Sequence, residues 1–120
     1  MKIAFATKDM EHVNEHFGWA EIFAVYEIDT EQFRLVETLK FGEDLGDHED
    51  KIQPKISSLL DCAIVYSANI GPVAAARLVK NKIHPVKSKG PESIMDILQR
   101  LQKVLQGAPP PWLRKAMNKR

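Results

Sequence analysis

With one cysteine, Cys62, in 120 residues, the chain can form no internal disulfide, so a hydrophobic core has to hold the fold. No stretch approaches the roughly 20 apolar residues that cross a bilayer. The sequence opens on Met1-Lys2-Ile3 without the apolar segment of a signal peptide. A cytoplasmic protein with no membrane partner is therefore expected. Aromatic residues are few, two Trp, two Tyr and five Phe, and none is interleaved with an arginine-rich run, so nucleic acid is not an expected partner. A glycine-rich phosphate loop is missing, which removes the usual sign of an ATPase or dinucleotide enzyme. There is no internal repeat and no low-complexity segment.

What is present has the balance of an ordinary globular domain, 44% hydrophobic and 28% charged residues, long enough to bury one core. The net charge of +1 hides an asymmetry. Residues 1–60 carry 13 acidic and 6 basic side chains, residues 61–120 carry 3 and 11, so the halves stand at −7 and +8. In one folded unit these halves are expected to interleave.

Apolar periodicity places the elements. Residues 2–7 read as a buried strand, residues 20–28 and 33–41 as a hairpin turning at Asp29-Thr30-Glu31-Gln32, and residues 42–50 as an exposed acidic loop able to act as a lid. Ile52, Ile56, Leu59 and Leu60 recur at helical spacing, which predicts a helix over 49–60 with Pro54 in its first turns. A short buried strand follows at 62–66, then a helix opening on Pro72, then a strand at 82–86 confined to an edge by Pro85. The longest helix is expected over 91–106, capped by Ser88 or Gly90 and ended by Gly107. The order β-β-β-α-β-α-β-α predicts an α/β domain of ribonuclease H-like topology, a mixed five-stranded sheet covered by helices, over residues 1–107. Residues 108–120 form a basic tail whose Trp112 and Leu113 either dock on the domain or meet a partner.

The chemistry is expected in the loop Asp9–Gly18, which holds His12 and His16 between two strands. Ligands on parallel strands favour their carboxyl ends, and there this loop would lie beside Ser67–Gly71. Two-metal nuclease chemistry would need a carboxylate in the first strand, and residues 2–7 contain none.

Four blocks then carry a resemblance across essentially the whole chain. Asn14-Glu15-His16-Phe17-Gly18, Ile70-Gly71-Pro72 with Ala74-Ala75-Ala76-Arg77, Ile83-His84-Pro85-Val86-Lys87 and Pro109-Pro110-Pro111-Trp112-Leu113-Arg114-Lys115 together resemble the dinitrogenase iron-molybdenum cofactor biosynthesis family. The resemblance implies a ribonuclease H-like domain that is not an enzyme. It implies a carrier that binds an iron-sulfur precursor of the nitrogenase cofactor and passes it from a cluster-synthesising donor to a scaffold acceptor. A non-catalytic interaction module of the same assembly, binding no cluster itself, is the alternative.

His16 is then the leading cluster contact, because a neutral imidazole ligates iron and a single protein ligand permits release. Asn14, Phe17 and Gly18 belong to the same motif, and Gly18 lets the chain turn close to a bulky cluster. Asn69 and Gly71 fall where backbone N–H groups at a helix start can meet an anion, and Arg77 either neutralises that anion or lies on an exposed helix face. Cys62 is either a small buried hydrophobe or a secondary iron ligand. His12 reads as a supporting or solvated residue, His84 as structural or surface, and His48 as solvated.

Overall fold

The apolar run at the amino end forms β1 (Lys2–Thr7), which takes the centre of the main sheet because both of its faces are buried. Ile3 and Phe5 enter one core cluster and Ala4 and Ala6 the other, as alternation along a strand requires. A two-residue strand, β2 (His12–Val13), precedes β3 (Ile22–Ile28), which pairs antiparallel with β1. The chain then turns into antiparallel β4 (Phe33–Lys40). Asp29 closes that turn, its Oδ1 accepting from the N–H groups of Glu31 and Gln32 at 2.8 Å. On the other flank, β1 runs parallel to β5 (Ile64–Ser67), and β5 parallel to β6 (His84–Lys87). The order β4-β3-β1-β5-β6 is the mixed five-stranded, ribonuclease H-like sheet that the pattern predicts, with β6 at an edge. This structure, a computed structural model, describes residues 1–42 and 51–118.

Helices cover both faces. On one side, α1 (Gln53–Ser58) and α2 (Pro72–Lys80) bring Ile56, Ala74 and Leu78 against Ala4, Ala6 and Phe23. On the other, β7 (Glu92–Ser93) leads into α3 (Ile94–Gln106), followed by α4 (Pro111–Met117); these helices bring Leu98, Leu101 and Leu113 against Ile3 and Phe5. β7 pairs antiparallel with β2, a second ladder too short to show a period in the sequence.

Several details differ from the sequence reading. Of the helix expected over 49–60, the described residues 51–60 form only Gln53–Ser58, and Leu60, beyond its end, is half exposed. The cap of α3 is Ser93, whose Oγ accepts from the N–H of Asp96 at 3.2 Å, rather than Ser88 or Gly90. Ser88 instead extends the β6 pairing through its N–H to the Ser67 carbonyl, and Gly90, at φ +117°, makes the turn that only glycine takes readily. The tail is helical and docked: Leu113 is fully buried, and the Trp112 ring stacks on His84 with centroids 4.3 Å apart. The acidic segment expected as a lid, His48 included, lies apart from Gly42 outside the described residues.

Nor do the charged halves interleave in the sheet. Residues 2–40 supply three adjacent strands and residues 64–87 the other two. The β3–β4 hairpin, residues 21–40, holds five acidic and two basic side chains, whereas residues 62–91 hold five basic and no acidic one.

Candidate functional site

The His16 loop is strapped along its length. Leaving β1, Asp9 accepts through Oδ1 from the N–H groups of Glu11 and His12 at 2.9 Å and from Thr7 Oγ1 at 3.2 Å. This turn places Met10 at φ 65°. Asn14 Oδ1 takes the N–H of Lys8 at 2.8 Å, and Ile94 donates to the Glu11 carbonyl at 2.9 Å. Past β2 the loop joins the carboxyl end of β5: Ala68 donates to the Glu15 carbonyl at 2.9 Å and Phe17 to the Asn69 carbonyl at 2.8 Å, a parallel bridge between His16 and Asn69. The two loops thus lie side by side. A single 3₁₀ turn, Phe17–Trp19, ends the segment, with Phe17 buried edge-on against Phe23.

Between this turn and the start of α2 opens a cleft of about 380 Å³. His16, Gly18 and Trp19 wall one side; Gly71, Val73 and Ala74 wall the other. The imidazole Nδ1 of His16 is buried and has no hydrogen-bond partner among the described residues. Leaving such an atom unpaired costs about 1–3 kcal/mol, a cost that a ligand can remove. Gly18 lies against the ring, where a Cβ would come to 4.0 Å from Nδ1, an ordinary contact distance. Pro72, at the first position of α2, has no N–H, and Ile70 gives its own to Asn69 Oδ1 at 2.9 Å. The first-turn donors facing the cleft are then those of Val73 and Ala74, which have no intrahelical acceptor. Trp19 stands at the mouth, 78% exposed, its ring 6.2 Å from that of His16.

Beneath the turn lies a residue that the sequence reading missed. Lys55 of α1 is 3% exposed and donates through Nζ to the carbonyls of Gly18 at 2.7 Å and Phe17 at 3.3 Å. Burial pushes its pKa down, against the opposing pull of Glu15. The signal was its position, three residues after Ile52 and four before Leu59, on the apolar stripe of the helix.

The structure therefore brings His16, Gly18, Asn69 and Gly71 together, while Asn14 and Phe17 hold the loop from outside the cleft. Arg77 stands one turn beyond Ala74 on α2 and is not part of the cleft wall. Cys62 is buried among Ile56, Leu59 and Leu78 at the amino end of β5, roughly 20 Å along the strand from Asn69. His12 is on the surface, where its Nδ1 meets Asp9 Oδ2 at 2.8 Å; this bond raises the His12 pKa and holds the Asp9 carboxyl well below the usual range. Asp9, Glu11 and His12 have ligand atoms within 4.8 Å of one another, a grouping that the turn itself accounts for.

Comparisons with known proteins give the chain's relatives. A family model described as dinitrogenase iron-molybdenum cofactor matches residues 1–104. The chain is 52% identical over 122 residues to a protein called NifX of Herbaspirillum seropedicae, covering 99% of this chain and 83% of that one. To a NifX of Sinorhizobium fredii it is 44% identical over 98% of this chain and 78% of the relative. Among solved structures, that of PH0822 superposes with a TM-score of 0.67 at 23% identity, over 86% of this chain and 89% of the other, a likeness of fold.

Proposed function

The chain belongs to the dinitrogenase iron-molybdenum cofactor family, and from that premise we propose that it is a carrier in nitrogenase cofactor assembly, loading an iron-sulfur precursor at the His16 cleft. The observation that carries this reading is the buried, unpartnered Nδ1 of His16 at the wall of an open cleft. An imidazole in the wall of an open cleft, with no hydrogen bond holding its Nδ1, is free to turn a ring nitrogen toward iron, and one such ligand holds a cluster without caging it. The α2 first-turn N–H groups and Lys51 at the cleft supply positive potential for an anionic cargo, with Arg77 one turn behind. Gly18 and Gly71 leave room for a bulky inorganic core, Asn69 fixes the His16 backbone, and Asn14 and Phe17 anchor the loop.

No step of this reading makes or breaks a bond in a substrate, so the chain acts as a binding protein rather than an enzyme. Its partners are the cluster-synthesising donor and the scaffold acceptor of cofactor assembly, and its place is the cytoplasm. No helix among the described residues is long and apolar enough to cross a membrane.

Anaerobic mixing with the iron-sulfur precursor is expected to give a coloured complex of about one cluster per chain, measured by iron and sulfide content. His16→Ala loses most of it, and Cys62→Ala keeps more. Equal loading of native chain and His16→Ala would move the site elsewhere. No loading by either would leave a non-catalytic interaction module of the same assembly.

A further inference from the structure

The turn that presents His16 has little of its own to hold it. Its internal bonds are Trp19 N–H to the His16 carbonyl at 3.1 Å and Ala20 N–H to the Phe17 carbonyl at 3.4 Å, and one 3₁₀ turn is a weak unit. From the β5 side, Asn69 fixes the Phe17 N–H. From below, the Lys55 ammonium ties the Phe17 and Gly18 carbonyls, so Phe17 is held at both of its backbone groups.

A lysine is an expensive way to fill that space. A buried ammonium is desolvated, whereas a methionine of similar length would fit an apolar helix stripe without that penalty. The two carbonyls it reaches belong to the motif that carries His16, and the Gly18 bond, at 2.7 Å, is the short bond of a charged donor.

We propose that Lys55 is the positioning residue of the cargo cleft: its ammonium, bonded to the Phe17 and Gly18 carbonyls, sets the turn so that the His16 ring stands with Nδ1 unpartnered beside Gly18. The same charge lies under the cleft wall, where it favours an anionic occupant. This inference rests on the carrier reading for its purpose, but its structural half is testable without cargo.

The experiment compares the native chain with Lys55→Met and Lys55→Arg, each shown to be folded by circular dichroism. The first readout, on the apo chain, is the ring nitrogen resonances of His16 with amide exchange at Trp19 and Ala20. Lys55→Met is expected to shift the ring signals and speed exchange at those two amides. Lys55→Arg, which keeps parallel N–H donors, is expected to return both toward native values. The second readout is anaerobic uptake of a thiolate-capped synthetic [4Fe–4S] cluster, expected to weaken about tenfold in Lys55→Met, the loss of one charged hydrogen bond. Unchanged ring signals in folded Lys55→Met overturn the proposal. So does an equal displacement by both variants, which assigns Lys55 to packing alone. A shifted ring in Lys55→Met together with no cluster uptake by the native chain upholds the positioning role and removes the carrier reading instead.

Discussion

Lys55 is held in its ionised form against desolvation, which pushes its pKa below the lysine value of the unfolded chain. Between the lowered folded pKa and the unfolded 10.5, the unfolded chain binds more protons, so stability rises with pH across that window. Below the window the folded chain bears the full penalty. Urea unfolding at stepped alkaline pH is expected to show this rise in the native chain and a smaller one in Lys55→Met; parallel curves would mean that burial does not perturb the group. The contrast with His16 shows what can be read one residue at a time. The loop that carries His16 was legible as a polar segment between strands, and the family resemblance chose His16 over His12 within it. Lys55 was not, because lysines in short amphipathic helices are almost always solvated, and only the three-dimensional contact with the loop reveals the exception.

The carboxyl end of α2 closes in a Schellman motif: Ile83 donates to the Leu78 carbonyl at 2.8 Å and Lys82 to that of Val79 at 2.9 Å, with Ile83 and Leu78 buried together. The motif places Lys82 at φ 61°, a left-handed conformation that costs a side chain about 1 kcal/mol. Lys82→Gly is therefore expected to stabilise the protein by about 0.5–1 kcal/mol in urea unfolding; destabilisation would mean that the lysine side chain holds more than its backbone loses. Elements with strong local signals were read well: β1 from its apolar run, α2 from Pro72, β6 as an edge from Pro85. Where the local signal was weak, tertiary contacts decided. Leu60 looked like part of the apolar stripe, yet α1 stops before it. β2 and β7, two residues each, exist only through each other.

On the scale of the molecule, Leu113 and Ala116 tie residues 108–118 to the core, so the segment is no loose appendage. Leu113 and Ala116 close the cluster built on Ile3 and Phe5, so a chain ending at Gly107 is expected to lose about 2–5 kcal/mol in urea unfolding. An unchanged midpoint would show that α4 adds nothing to stability. Composition showed a hydrophobic anchor in this tail, but not which surface it would find, because that surface is assembled from β6 and α3. The strand order was legible from the alternation of elements. The consequence for charge was not, since it depends on which strands become neighbours.

That strand order sets residues 21–40 and 62–91, of opposite net charge, on opposite sides of the sheet. The acidic hairpin forms one edge of the sheet, the basic residues of 62–91 gather around the other on α2, β6 and their loops, and the His16 cleft opens at the seam where β1 meets β5. A charged partner approaching through solvent exerts a torque on such a molecule before contact, turning one edge toward itself. Partners of opposite sign would thereby meet the same seam from opposite edges, each arriving with the cleft already abeam.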